Sequence, residues 1–127
     1  MIFKPEMVEK ILAGEKTVTR RPVKFKSELP PGAPGPVRVE QPCRYEVGKT
    51  YAVQPGRGQK GVGRIRVLAV RRKPLGHYML TDETLREGFQ SFTRFRAYWE
   101  RLYGSYDPTQ LVDRIEFELV SGEQEGK

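Results

Sequence analysis

The chain has 127 residues, 37% hydrophobic and 31% charged, with one Cys, one His and a formal net charge of +7. That length supports one domain around one core, Cys43 alone cannot form an internal disulfide, and no run approaches the ~20 apolar residues of a membrane helix. Up to Pro74 there are 17 Lys and Arg against 6 Asp and Glu, and from Leu75 onward 6 against 10. This asymmetry suits a polyanionic partner met on one side, the plain alternative being ordinary solubilising charge.

Met1 runs into Lys4 and Glu6 without an apolar leader, so a cytoplasmic setting is expected. Residues 5–12 predict a helix. Pro5 stands at a first-turn position, Met7, Val8, Ile11 and Leu12 share a face, and Gly14 follows. Thr17 to Val23 mixes β-branched and charged residues and reads as a short strand or extended arm. Residues 26–43, with Pro30, Pro31, Gly32, Pro34, Gly35 and Pro36, read as a long irregular loop.

Tyr45 to Gln54 reads as a turn at Gly48 followed by a strand. Val62 to Val70 reads as a second strand with one slip in phase, paired to the first across Pro55 to Gly61. Thr81 or Asp82 is expected to cap a short helix carrying Leu85 and Glu87 that ends at Gly88. Ser91 opens another, whose Phe92, Phe95, Trp99, Leu102 and Tyr103 form an aromatic stripe read as core. Leu111 to Val120 closes the fold as a strand. The domain is expected to span 1–120, with 121–127 a frayed, disordered tail.

Several motifs fail on chemistry. Gly56, Gly58 and Gly61 have dinucleotide-loop spacing, but a strand follows where a helix N-terminus must meet the pyrophosphate. Gly48, Lys49 and Thr50 resemble the end of a P-loop, yet Cys43 occupies the place of its first glycine. With His77 and Cys43 each unique, no zinc set assembles from one chain, and neither a metal nor a cofactor is expected.

Gly14, Lys16, Thr19 and Arg21, with Arg20 beside them, form the densest polar segment. In an extended chain Thr17, Thr19 and Arg21 face one way and Lys16, Val18 and Arg20 the other, so Lys16 and Thr19 share a pocket only if the chain bends after Gly14. A capped helix followed by an ordinary charged edge strand would look the same.

The Gly14-x-Lys16-x-x-Thr19-x-Arg21 pattern resembles the signature of the ASCH family, within the PUA-like superfamily. Later stretches agree in order: Tyr51 to Gly58 (YAVQPGRG), the Glu87-Gly88-Phe89 triplet, the Trp99 helix and the strand around Ile115 and Phe117. Residues 24–43 match no shared element. The resemblance implies an α+β fold, a small partly open β-barrel with flanking helices, and a cleft lined by the signature in a superfamily associated with RNA.

The leading expectation is therefore an RNA- or nucleotide-binding module. Lys16, Arg20, Arg21, Arg57, Lys60 and Arg64 would contact phosphate, Tyr51 or Phe89 would stack on a base, and Gly14 and Gln54 would complete the ligand contacts. The resemblance also reaches amidohydrolases of N-acetylated cytidine, whose Lys, Thr and Glu correspond to Lys16, Thr19 and Glu87. A metal-independent ribonuclease is the third reading.

Overall fold

The computed structural model describes residues 1–77 and 80–122. Helix α1 (Pro5–Leu12) begins with Pro5, where the missing N–H costs no helical bond, and buries Met7, Val8 and Ile11. It stops at a tight turn. Gly14 takes φ +78°, and the N–H groups of Glu15 and Lys16 both bond back to Lys10 O, at 2.8 and 3.2 Å. That turn redirects the chain into strand β1 (Val18–Pro22).

Next come the short strands β2 (Phe25–Glu28) and β3 (Val37–Glu40), then β4 (Thr50–Val53) and the long β5 (Gly63–Pro74). Helices α2 (Thr81–Arg86) and α3 (Phe92–Tyr103) precede the closing strand β6 (Leu111–Gly122). Four strands form one antiparallel sheet in the order β1-β6-β5-β4, and β2 and β3 form a separate hairpin. The slip expected in β5 is two register shifts, between Arg64 and Ile65 and between Val67 and Ala69.

The barrel is open, since β1 and β4 are opposite edges of the sheet. The N-terminal segment spans the gap. Ile2 bridges in parallel to Gln54 beyond β4, and Arg21 of β1 donates from Nη2 to Ile2 O at 2.8 Å. The main core lies between α1 and the sheet, with Phe3, Ile11, Val53, Ile65, Val67, Ile115 and Phe117 buried. A second cluster, Leu75, Phe95, Trp99 and Val112, seats α3 on the far end of β5 and β6, and Phe89 packs against both clusters.

Three local expectations need correction. Residues 26–43 are not one irregular loop, because Phe25 to Glu28 pairs with Val37 to Glu40 and the Pro- and Gly-rich stretch forms only the connection between them. Arg72 ties this exposed hairpin to the sheet, donating to Glu40 Oε1 at 3.1 Å and Gln41 O at 2.8 Å. Neither Thr81 nor Asp82 caps α2: Leu80 holds the cap position with no side-chain bond, whereas Ser91 does cap α3, accepting from Arg94 N at 3.2 Å. Strand β6 runs to Gly122, into the expected tail, and residues 123–127 lie outside the described residues.

Candidate functional site

Lys16 and Glu87 are 71 positions apart, and two backbone routes bring them together. Thr17 N donates to Arg86 O at 2.9 Å, laying the chain before β1 against the end of α2. Gly88 then turns the chain with φ +98°, and a Cβ there would lie 3.2 Å from Lys10 Cδ and 3.6 Å from the Lys16 stem. The left-handed backbone is what favours glycine here, since the Lys16 stem would meet a Cβ only at ordinary contact distance.

The Lys16 ammonium is buried and spends its three protons on Val18 O at 2.8 Å, Glu87 O at 2.7 Å and Glu87 Oε1 at 3.1 Å. Burial pushes its pKa below the usual lysine value, and the Glu87 carboxylate opposes that shift only in part. Glu87 Oε2 accepts from Arg20 Nη1 at 2.9 Å, and Arg20 Nη2 reaches Glu83 Oε2 at 2.6 Å. Arg114 grips Glu83 with Nε and with Nη2, the latter at 3.0 Å from Oε1.

The chain of charges continues through Glu116 to Arg86, at 3.3 and 2.9 Å. The register explains the alignment. Arg20 lies directly opposite Arg114 across β1 and β6, so both guanidiniums share the sheet face on which α2 lays Glu83. Burial alone would raise the Glu83 pKa, but the hydrogen bonds from Arg114 and Arg20 outweigh it and bring it down to about 2.

Thr19 stands opposite Ile115 on the other sheet face, yet Lys16, Thr19 and Glu87 all line one cleft of about 350 Å³. The bend after Gly14 is what reconciles them. The Thr19 hydroxyl makes no hydrogen bond among the described residues. The opposite wall is aromatic: Phe3, Phe89, Tyr98, Trp99 and Tyr103, with Phe89 5.1 Å from Tyr98 and Trp99 4.5 Å from Tyr103 between ring centroids. At the edge stand Lys4, Arg21 and Arg57, none of them in an ion pair among the described residues, with the Arg21 guanidinium 4.8 Å above the Phe3 ring. Among the described residues, Arg20 Nε and Trp99 Nε1 are buried donors without a partner, and both residues line this cleft.

The structure thus gathers Lys16, Thr19, Arg20, Arg21, Arg57, Glu87 and Phe89. It places five expected ligand residues elsewhere. Tyr51 turns its hydroxyl to Glu46 N at 2.8 Å and its ring to Tyr45, Gln54 donates to Gln59 O at 3.0 Å, and Arg64 donates to Thr50 Oγ1 at 3.1 Å. Lys60 is an exposed residue on the turn between β4 and β5 and is not in the cleft lining. Gly14 shapes the turn rather than the wall.

Arg20 is committed to Glu83 and Glu87 through both terminal nitrogens, which leaves it a scaffold for Glu87 more than a free phosphate contact. Sequence reasoning missed Glu83 and the aromatic wall. The stripe expected as core is core at Phe95 and Trp99, and what its spacing did not show is that its Tyr103 end is exposed and continues into the cleft lining. Among the described residues no three His, Cys, Asp or Glu side chains are placed to hold a metal ion, and no helix is long and apolar enough to cross a membrane.

No protein-family model matches the sequence, and no curated protein matches it. Solved structures do. The chain is similar to an ASCH domain from Lactobacillus crispatus JV V101, with a TM-score of 0.60 and 17% identity over 90% of this chain and 70% of that one. It is similar to a DUF984 protein from Enterococcus faecalis V583, at 0.56 and 18% over 91% and 71%, and to ASCH from Zymomonas mobilis, at 0.52 and 17% over 98% and 72%. With its open antiparallel sheet, its flanking helices and these neighbours, the chain has the fold of the ASCH-domain structures.

Proposed function

We propose that the cleft binds one nucleotide of RNA or a free nucleotide, with the base against the aromatic wall and the phosphate at the cationic edge. The observation that carries this reading is the division of labour among the cations. Lys16 and Arg20, deep in the cleft, are neutralised by Glu87, while Lys4, Arg21 and Arg57 at its edge have no carboxylate partner among the described residues. Aromatic faces accept a base by stacking, at about 1–3 kcal/mol per base, and unpaired cations accept phosphate. A volume of about 350 Å³ suits a single nucleotide rather than a duplex. A ligand carbonyl reaching Trp99 Nε1 or Arg20 Nε would also recover the roughly 1–3 kcal/mol cost of a buried unpaired donor.

Trp99 is the sole tryptophan, so its fluorescence reports on the cleft. Titration with the four ribonucleoside 5′-monophosphates should give saturable quenching by at least one, and Arg57→Ala should weaken the monophosphate more than the nucleoside. Flat titrations with all four, and with short single-stranded RNA, would remove the reading.

A second reading is favoured by the Lys16, Thr19 and Glu87 set. Burial makes the neutral Lys16 amine more accessible than in water, and the unbonded Thr19 hydroxyl shares its cleft. In amide hydrolysis of an N-acetylated cytidine, the amine would take the Thr19 proton as that oxygen attacks the acetyl carbon. The proton would pass to the departing nucleoside amine, and water would release acetate from Thr19. Incubation with N4-acetylcytidine should then yield cytidine and acetate at a rate that rises with pH toward the lowered Lys16 pKa. No acetate eliminates hydrolysis, and equal release by Lys16→Met eliminates Lys16 as its base, in either case without touching the binding reading.

A further inference from the structure

A second compartment of about 500 Å³ lies between the β2–β3 hairpin connections and the sheet, and Arg21 and Tyr103 line both it and the first cleft. The two are therefore neighbours across one guanidinium and one ring. Lys24, Gln41, Pro42 and Cys43 of the new lining come from residues 24–43, the segment without a counterpart in the ASCH pattern, and Arg44 and Tyr45 follow directly after it.

Its charge is one-sided. The single carboxylate among its described lining residues is Asp113, and Arg72 already holds it at both oxygens, at 2.8 and 3.0 Å. Among the described residues Arg21, Lys24 and Arg44 make no ion pair, and the Arg44 guanidinium sits 5.4 Å above the Tyr45 ring, leaving an aromatic and cationic surface of the kind that accepts a stacked, phosphate-linked base.

We propose that this compartment seats a second nucleotide of a single RNA strand. The connecting phosphodiester would pass Arg21 and the flanking base would pack near Tyr45 and Tyr103. The hairpin thereby lengthens a one-nucleotide site into a two-nucleotide track. The inference rests on the nucleotide reading of the first cleft, and charge complementarity and continuity with that cleft select the occupant.

The test compares the homodinucleotides ApA, CpC, GpG and UpU with the matching nucleoside 3′- and 5′-monophosphates, read by Trp99 fluorescence, on the wild type and on the Lys24→Ala/Arg44→Ala double variant. Both positions are exposed, and neither lines the first cleft. At least one dinucleotide should bind about fivefold or more tightly than its monophosphates. The double variant should lose that gain while keeping monophosphate affinity within about twofold. Equal affinity of dinucleotides and monophosphates, or a gain that survives in the double variant, overturns the second seat and leaves the first reading standing. If neither monophosphates nor dinucleotides perturb Trp99, the nucleotide reading falls and takes this inference with it.

Discussion

Two groups of cations flank the cleft, and they behave differently. Under α2, Lys16, Arg20, Arg114 and Arg86 are threaded onto Glu87, Glu83 and Glu116 in one continuous network, most of it buried. On the hairpin side, Arg21, Lys24 and Arg44 have no carboxylate partner among the described residues. The basic N-terminal half therefore does two jobs. Where the acidic C-terminal half folds back onto it, charge is spent on holding α2 and the Lys16 ammonium in place. Where no acid reaches it, charge remains for a ligand.

Four experiments break or sharpen that comparison. The largest effect belongs to Glu87→Gln, which leaves Lys16 and Arg20 buried against a neutral side chain. Urea denaturation should show a loss of about 3–5 kcal/mol, whereas Glu118→Gln, which breaks an exposed pair with Arg66, should cost under about 1 kcal/mol. Equal losses would mean that the buried network is not structural. Next, Gly88→Ala must adopt a left-handed backbone beside the Lys16 stem and should cost about 1–2 kcal/mol by the same measurement.

The third is a pH dependence. Folding holds the Glu83 carboxyl at about 2, against an ordinary value of 4.5, so its stabilisation is complete above about pH 4.5 and fades as pH falls toward 2. Glu116 is shifted downward too, by its hydrogen bond from Arg86 first. Thermal melts between pH 5 and about 2 should show stability falling with pH in the wild type and a shallower slope in Glu83→Gln. An unchanged slope would place the acid sensitivity elsewhere. The smallest effect is expected on the hairpin side, where Lys24→Ala and Arg44→Ala should each alter stability by less than about 0.5 kcal/mol, as unpaired surface charges do. A larger loss there would show that these cations serve the fold.

Much of the architecture was legible locally. Helix α1 followed from Pro5, its apolar face and Gly14, and the Ser91 cap and the β4–β5 hairpin lay where composition put them. The β2–β3 hairpin was hidden because six Pro and Gly residues dominate the window, while the alternation of Val37 and Val39, which pair with Glu28 and Lys26, is too short to register. Glu83 was invisible for another reason: an acidic residue in the first turn of a short helix has the composition of a solvated face.

The sequence alone determined the amphipathic segments, the two glycine turns that let Lys16 approach Glu87, and the uneven distribution of charge, because each depends on neighbours within a few residues. Tertiary structure decided which cations are consumed and which remain. Lys16 meets Glu87 across 71 positions, Arg20 meets Glu83 across 63, and Arg114 meets Glu83 across 31, and a Coulomb interaction depends on distance in space rather than along the chain.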